Sequence, residues 1–401
     1  MTTGSKSLRD RISPVVRDLP RSGIRDFFEI VATRDDVISL GIGEPDFTTP
    51  WHIREGAISA LEHGATHYTS NLGLASLRRA ICRYVSGSYD GLAYDWRSEV
   101  LVTVGVSEAL DVVLRALVAP GDEIIYHEPC FVAYPSEIRL AGGVPVPVPT
   151  YAENDFRLTR EALEAAITPR TKALIVNFPC NPTGAVLDES SAKMIADFVT
   201  EHDIILISDE VYSELTYDVP RISPMTFPGI RDRAVFLSGF SKAWAMTGFR
   251  LGFVCAPHDI LEAAMKVHQY AIMCAPTVCQ HAAVEALENG EADTKAMLES
   301  YRDRRNFISD AFAKMGIPCV RPQGAFYAFP CIASTGLSSH DFAMGLLDAE
   351  AVACVPGPAF GACGEGFVRC SYATGMAQLE EAMSRFARFV RNTGKCENVK
   401  L

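Results

Sequence analysis

The chain has 401 residues, which exceeds what one ordinary hydrophobic core holds and predicts two domains. Hydrophobic residues make up 48% and charged residues 21%, a globular composition, and no apolar run approaches the roughly 20 residues that cross a bilayer. The formal charge of −12 comes without a basic block, so neither nucleic acid nor a membrane is expected as a partner. The opening MTTGSKSLRDR has no hydrophobic signal core, and we expect a cytoplasmic protein.

Strand-like and helix-like segments alternate between about residues 99 and 256. In chain order we predict strands at 99–105, 122–127, 172–178, 204–210, 234–240 and 248–257, and helices from Ser107, beyond Phe131 and over about 189–202. This alternation is typical of a mostly parallel sheet with helices on both faces. The sequence therefore predicts an α/β fold.

A charged amphipathic stretch from Asp293 to Met315 ends at Gly316 and predicts a helix that bridges two domains. The segments after it predict a smaller α+β unit. Its strands are expected at 319–330, 351–357 and 366–373, and its helices at 340–350 and from Met376.

The stretch SGFSKAWAMTGFRLGF places Lys242 among small and apolar residues directly after a predicted strand, with Arg250 a short distance beyond. Surroundings that disfavour the ammonium form make such an amine a nucleophile toward aldehydes. A guanidinium nearby is a natural anchor for a phosphate. Together the two residues indicate pyridoxal phosphate. A snorkelling lysine followed by a surface arginine is the alternative for this segment alone.

Two further motifs follow apolar runs. In ISDEVYSELTYD, Asp209 stands at the carboxyl end of a buried strand, where ligands of open α/β sheets collect. A protonated pyridine nitrogen would pair with this carboxylate, which is costly to bury alone. In NFPCNPTG, Asn181 also follows a strand, and with Tyr212 it is a candidate ligand of the ring's phenolic oxygen. Ordinary turn chemistry is the alternative for NPTG.

Two more segments are candidates for binding anions. In GEGFVRCSYATG, Arg369 lies in a strand-like run and fits bidentate capture of a substrate α-carboxylate, although edge strands often carry such a charge. In VTVGVSEAL, a strand and turn lead into a helix whose free N–H groups form an anion site, so Gly105, Val106 and Ser107 are candidate phosphate ligands.

These motifs, in this order and spacing, resemble the fold-type I pyridoxal phosphate enzymes of the class I/II aminotransferase family. The similarity is to the branch with prokaryotic aspartate, aromatic and N-acetyl-diaminopimelate aminotransferases, and it covers nearly the whole chain. The resemblance implies one role for each matching residue: covalent attachment of the cofactor for Lys242, pairing with the pyridine nitrogen for Asp209, contact with the phenolic oxygen for Asn181 and Tyr212, phosphate binding for Ser241 and Arg250, and α-carboxylate binding for Arg369.

Three other residues take roles from the same resemblance. Phe131 in EPCFVAYP matches an aromatic residue that stacks on the cofactor ring, and a core phenylalanine is the alternative. Gly43 in ISLGIGEPDFTTP belongs to a loop whose backbone helps to hold the substrate carboxylate. Tyr68 matches a tyrosine that reaches the phosphate in the neighbouring subunit, so we expect a homodimer with shared active sites. An exposed tyrosine is the alternative there.

The resemblance also implies a domain organisation. We predict an amino-terminal segment, 1–47, that packs with the small domain, a large cofactor-binding domain at 48–290, and a small domain at 291–401 that includes the interdomain helix.

Twelve scattered cysteines without a C-x-x-C pair predict free thiols, many of them buried, rather than a disulfide framework. The nine histidines form no H-E-x-x-H motif, so we expect no metal.

The expected activity is transfer of an α-amino group between an aromatic, acidic or long-chain amino acid and 2-oxoglutarate by a ping-pong mechanism. A β-lyase that cleaves C–S bonds on the same fold is an alternative, as is a non-catalytic aminotransferase-like regulator. The partner of the distal substrate group stays open, and its candidates are Arg21, Arg25, Lys266 and His268.

Overall fold

The computed structural model describes residues 7–20, 34 and 36–393. Arg21 and Arg25 lie outside the described residues. The strands are β1 (Ile38–Ser39), β2 (Val100–Thr103), β3 (Glu123–Glu128), β4 (Val144–Pro149), β5 (Thr171–Asn177), β6 (Ile205–Asp209), β7 (Ala234–Gly239), β8 (Gly252–Cys255), β9 (Tyr327–Ala328), β10 (Val352–Ala353), β11 (Val355–Pro356) and β12 (Val368–Ser371). The α-helices are α1 (Pro14–Arg17), α2 (Trp51–Glu62), α3 (Ala75–Ser88), α4 (Gly105–Leu117), α5 (Tyr134–Leu140), α6 (Arg160–Ala166), α7 (Glu189–Glu201), α8 (His258–Ala271), α9 (Thr277–Asn289), α10 (Glu291–Lys314), α11 (Ser339–Glu350) and α12 (Met376–Asn392).

Seven strands form the main sheet in the order β2-β8-β7-β6-β5-β3-β4. Neighbours from β7 to β4 pair in parallel, and β8 runs antiparallel to both β2 and β7. Residues on alternate sides of the strands enter two separate hydrophobic clusters: Ile125 and Leu174 face one side, whereas Ile124 and Ile175 face the other. Both faces are thus covered by helices, and the predicted α/β fold is confirmed.

Strand β4 was not predicted, because its sequence, VPVPVP, carries three prolines. Proline cannot donate a ladder hydrogen bond, so it is tolerated at a sheet edge. β4 is the outermost strand and pairs with β3 alone in the sheet order, which is the position where this sequence fits.

A second unit is built from short strands and the last two helices. Strands β11, β12 and β9 pair antiparallel, and β1 pairs in parallel with β10. Its core includes Phe326, Phe342 and Phe386. Residues 38–40 therefore belong to this unit, whereas α1 lies beside α5 of the main sheet's layer. The predicted domain limits stay a prediction.

Helix α10 was expected over 293–315 and runs over Glu291–Lys314, connecting the two units. Near its start, Thr294 Oγ1 donates to the carbonyl oxygen of Ala243, close to the main sheet. Further along, Tyr301 and Phe312 lie in the core of the second unit. Within the described residues, no helix is long and apolar enough to cross a membrane.

Helix α4 begins at Gly105 and not near Ser107, where the sequence predicted its start. The Glu108 carboxylate explains the difference, because it reaches back and accepts from the backbone N–H of Val104. A carboxylate in the first turn also offsets the positive end of the helix dipole.

Candidate active site

A cavity of about 360 Å³ opens where the carboxyl ends of the parallel strands face the second unit. The predicted site residues that line it are Gly43, Val106, Ser107, Phe131, Asn181, Asp209, Tyr212, Ser241, Lys242, Arg250 and Arg369.

The strand register explains why these residues meet. Asn177, the last residue of β5, is paired with Asp209, the last residue of β6, and Asp209 is paired with Leu237 of β7. Strand β7 ends at Gly239, and Lys242 follows three residues later. Parallel strands end at the same edge of a sheet, so polar residues just beyond them converge.

Lys242 is partly buried, and its Nζ donates to the carbonyl oxygen of Gly43 at 2.6 Å. Burial lowers the pKa of this amine to about 8, and the cations Arg369 and Arg250 act in the same direction. Glu44 and Asp209 oppose that shift. With a pKa of about 8, roughly one-tenth of Lys242 is the free amine at pH 7, the form that attacks an aldehyde.

Asp209 is 6% exposed. Its Oδ2 accepts from the Tyr134 hydroxyl at 2.7 Å, and its Oδ1 accepts from the Val211 N–H at 3.2 Å. Burial raises the pKa of Asp209 to about 6, against the lowering effect of these hydrogen bonds and of Lys242. Because a carboxylate offers about four lone-pair sites, Asp209 can still accept from a protonated ring nitrogen in the cavity.

Arg369, on β12, is 3% exposed and is held from two distant segments. Its Nη1 donates to Asn181 Oδ1 at 2.9 Å and its Nη2 to the carbonyl oxygen of Gly41 at 2.6 Å. The rings of Tyr327 and Phe360 lie 4.5 and 4.7 Å from the guanidinium carbon. The buried Nε has no hydrogen-bond partner, so this guanidinium still has a donor to offer to a carboxylate.

Arg250 lies against the start of helix α4. A Cβ added to Gly105 would stand 2.7 Å from its Nη2, and Gly105 has a φ of +73°. Glycine is therefore required there for the guanidinium to approach the helix. No carboxylate in the described part of the chain forms an ion pair with Arg250, which leaves its charge available to an anion.

Tyr212 and Tyr327 are almost completely buried, and their hydroxyl oxygens are 2.8 Å apart. Burial raises the pKa of both phenols, so both are neutral at physiological pH. Each hydroxyl has one proton to donate, and the pair lies between the Lys242 and Arg369 sides of the cavity.

Known proteins resemble this chain over nearly its whole length. The family described as aminotransferase class I and II matches residues 35–386. The chain belongs to this family. A putative aminotransferase, YugH, of Bacillus subtilis is 51% identical over 95% of this chain and 99% of its own length.

Two other relatives of this aminotransferase are named for particular substrates. The aspartate aminotransferase of Pyrococcus abyssi is 47% identical and covers 92% of this chain and 96% of its own. The crystal structure of an aromatic aminotransferase from Pyrococcus horikoshii superposes with a TM-score of 0.88 at 45% identity, covering 92% of this chain and 99% of that one. The aminotransferase is thus a transaminase with the fold of pyridoxal phosphate enzymes.

The cofactor of this family is pyridoxal 5'-phosphate, and the cavity of the aminotransferase fits it in three respects. Arg250, Ser241 and the start of α4 offer a cation, a hydroxyl and backbone N–H groups, the donor set that a phosphate requires. Asp209 offers a carboxylate to a basic ring nitrogen. Phe131 offers an aromatic face at the wall of the cavity.

Four predicted residues of the described part of the chain are not among the lining residues: Gly105, which directly precedes Val106 of the cavity wall, and three that lie apart from the cavity. Tyr68 is 81% exposed and does not line it, and its role at a neighbouring subunit stays a prediction. His268 is fully buried, with its Nδ1 2.8 Å from Glu108 Oε1, and Lys266 pairs at the surface with Glu262. Neither His268 nor Lys266 lines the described part of the cavity, so both were poor candidates for the distal substrate group within this chain.

Tyr134, Glu137 and Tyr327 also line the cavity, and none of the three was among the predicted site residues. Tyr134 and Glu137 lie three residues apart on α5, which puts both on the face toward the cavity. Burial raises the pKa of Glu137 to about 8. The only sequence signal was spacing. Tyr134 lies three positions after Phe131, and Glu137 lies three positions after Tyr134.

Proposed function

We propose that the enzyme transfers the α-amino group between an aromatic, acidic or long-chain amino acid and 2-oxoglutarate by a ping-pong mechanism. The observation that carries the proposal is the convergence of Lys242, Asp209 and Arg369 on one cavity. A free amine, a buried carboxylate and a buried guanidinium with a spare donor are the three groups that amino-acid chemistry on this cofactor needs.

When bound, the cofactor supplies an aldehyde that bonds to an amine and a ring that takes up the electrons released at the substrate α-carbon. In the proposal, Asp209 accepts a hydrogen bond from the ring nitrogen and keeps it protonated, while Asn181 and Tyr212 contact the phenolic oxygen. Phe131 covers the ring. The phosphate is held by Gly105, Val106, Ser107, Ser241 and Arg250.

Arg369 binds the α-carboxylate of the substrate and so orients the bond from Cα to hydrogen, with the backbone at Gly43 closing the same side. Lys242 Nζ would then take the proton from Cα and pass it to the carbon that was the cofactor's aldehyde carbon. Its pKa of about 8 suits both halves of this exchange, because the amine gains and loses a proton readily near neutral pH.

Substrate breadth is supported by the cavity's charges and by the names of the relatives. The cationic side chains among the described lining residues are Lys242, Arg250 and Arg369, each of which already has a role. A second, distal carboxylate therefore has no dedicated cation among them, whereas Phe131 and Tyr327 give the cavity aromatic walls. Relatives named for aspartate and for aromatic amino acids are both close in sequence.

The test is a panel of amino donors with 2-oxoglutarate, monitored by formation of glutamate and of the matching 2-oxo acid. We expect turnover with phenylalanine or a long-chain donor, turnover of glutamate when phenylpyruvate replaces 2-oxoglutarate as the acceptor, and parallel lines in initial-rate plots. A strict preference for aspartate would contradict the proposed breadth. Pyruvate release from a cysteine conjugate without any oxo acid would instead indicate the β-lyase.

Arg25 is proposed as the distal partner only through its position in the amino-terminal segment. Arg25→Ala should reduce kcat/KM for glutamate far more than for phenylalanine. Equal losses for the two donors would remove Arg25 from this role.

A homodimer with shared active sites is proposed because Tyr68 is exposed and lies outside its own chain's cavity. Mixing Tyr68→Phe with Lys242→Ala should restore activity, because a mixed dimer holds one site with neither defect. An active monomer in sedimentation would contradict this. A cytoplasmic location stays a prediction from the sequence.

A further inference from the structure

We propose that Tyr327 is a positioning residue that couples the cofactor contact of Tyr212 to the carboxylate contact of Arg369. This inference rests on the proposed function, since it takes the roles of those two residues from it. The juxtaposition that supports it is a single buried phenol in contact with both side chains.

The first contact fixes a direction of hydrogen bonding. The Tyr212 and Tyr327 hydroxyl oxygens are 2.8 Å apart, and each hydroxyl carries only one proton. If Tyr212 donates its proton to the phenolic oxygen of the cofactor, it has none left for Tyr327. Tyr327 must then donate to Tyr212, and the two hydroxyls form a chain in which each bond polarises the next.

The second contact is with the substrate side. The guanidinium carbon of Arg369 lies 4.5 Å from the centre of the Tyr327 ring, a cation–π distance. Tyr327 is paired with Ser371 across β9 and β12, and Ser371 is two residues from Arg369 on the same face of β12. The ring is therefore held beside the guanidinium by the sheet itself.

The third contact is between Tyr327 and the backbone of Gly43, and it explains why this position is a glycine. A Cβ added to Gly43 would lie 2.6 Å from the Tyr327 hydroxyl oxygen, so a larger residue would displace the phenol. The carbonyl oxygen of Gly43 accepts from Lys242. Tyr327 thus lies against the loop that holds the lysine as well as against Tyr212 and Arg369.

The two halves of the residue predict two separable effects. The hydroxyl acts through Tyr212 on the cofactor: donation to the phenolic oxygen favours loss of the proton held at the bond between Lys242 and the cofactor. The ring acts through Arg369 on the substrate carboxylate. Tyr327→Phe removes only the hydroxyl, and Tyr327→Leu removes the ring too.

The experiment is a pH titration of the visible absorption band of the holoenzyme. In Tyr327→Phe the weaker donation from Tyr212 should retain the proton to higher pH, and we expect the midpoint to rise by about half a pH unit. In a Tyr212→Phe background, Tyr327→Phe should add no further shift. Tyr372→Phe is the matched control, because Tyr372 is fully buried and its hydroxyl donates to the carbonyl oxygen of Ala325 away from the cavity lining.

Steady-state kinetics test the ring. Tyr327→Leu should raise KM for every amino donor by about 3- to 10-fold, the size of a lost cation–π contact, while Tyr327→Phe keeps KM within about 2-fold. The inference is overturned if Tyr327→Phe and Tyr372→Phe share the wild-type midpoint, if the two phenol shifts simply add, or if Tyr327→Leu leaves KM unchanged. A wild-type protein without a visible band would instead contradict the proposed function.

Discussion

The cofactor side and the carboxylate side of the cavity are built differently. On the cofactor side, Asp209 ends β6 and Lys242 comes three residues after β7, and the parallel pairing of these two adjacent strands brings both to one edge of the sheet. On the carboxylate side, Arg369 bonds to a carbonyl 328 positions earlier in the chain and to Asn181, 188 positions earlier. The first arrangement is set by local structure, whereas the second requires the two units to pack correctly.

Two neighbouring carboxylates on the cofactor side, Asp209 and Glu210, differ in the hydrogen bonds that they accept. Glu210 accepts hydrogen bonds from the hydroxyls of Ser208, Tyr89 and Ser223. Asp209 accepts one hydroxyl and one backbone N–H, and it faces the cavity. Both are buried, but of the two only Asp209 lines this cavity.

The largest expected effect comes from Lys242→Ala on the cofactor side. Loss of the amine removes both the covalent attachment and the proton-transfer group, so kcat should fall by at least about 10³-fold. Circular dichroism and Tm should stay near those of the wild type, since the side chain's one hydrogen bond is to a loop carbonyl. Transamination at the wild-type rate in this variant would remove Lys242 from the site.

Asp209→Ala tests the same side through its charge. The ring nitrogen loses its anionic partner while Arg250 still holds the phosphate, so we expect kcat to fall by at least about 10²-fold, or about 2.7 kcal/mol. Glu210→Gln is the matched control. It should lower Tm, because it disturbs a saturated network, yet keep kcat within about 3-fold. Near-normal kcat in Asp209→Ala with cofactor bound would count against the role.

Arg369→Leu breaks the carboxylate side instead. Every substrate carries an α-carboxylate, so kcat/KM should fall alike for all donors, by roughly 2 to 5 kcal/mol. Arg369→Lys should recover only part of the loss, because an ammonium lacks the two-pronged fork. If glutamate and phenylalanine lost activity to very different extents, Arg369 would bind a distal group and not the shared one.

The residues predicted for the cofactor side stand at or just after the ends of apolar strands, and the structure places most of them around one cavity, while their roles stay predictions. Arg369 was predicted from its motif, but its contacts with Gly41, 328 positions earlier, and with the Tyr327 ring in a different strand were not, since contacts between separate segments leave no local pattern. Strand β4 was not predicted because its three prolines argue against a strand, although an edge strand tolerates them. Tyr134 carried no signal beyond its spacing from Phe131.

The smallest expected effect is on the free energy of unfolding, and it arises where helices α2, α9 and α10 meet. His52 on α2 lies 2.7 Å from Glu285 on α9 and 2.9 Å from Asp293 on α10. The hydrogen bond to Asp293 raises the pKa of His52, with Glu285 acting in the same direction and partial burial opposing it. The charged form is therefore favoured in the folded state.

A raised folded-state pKa gives stability that is fully present below the ordinary histidine pKa of about 6.5 and is lost as the pH rises through the higher folded value. Since these side chains are about one-third exposed, we expect about 1 kcal/mol or less. Chemical denaturation should show a wild-type advantage over His52→Gln at pH 6 that shrinks by pH 9. His258→Gln, at an exposed site, is the control. A wild-type advantage that grew with pH would contradict a raised pKa of His52 in the folded state.

The most direct test of the central claim, that Lys242 holds the cofactor, is borohydride reduction of the holoenzyme followed by peptide mass mapping. Reduction should bleach the visible band and leave the cofactor's mass on one tryptic peptide, with fragmentation assigning it to Lys242. Attachment to another lysine, or loss of the band without any modified peptide, would contradict the account.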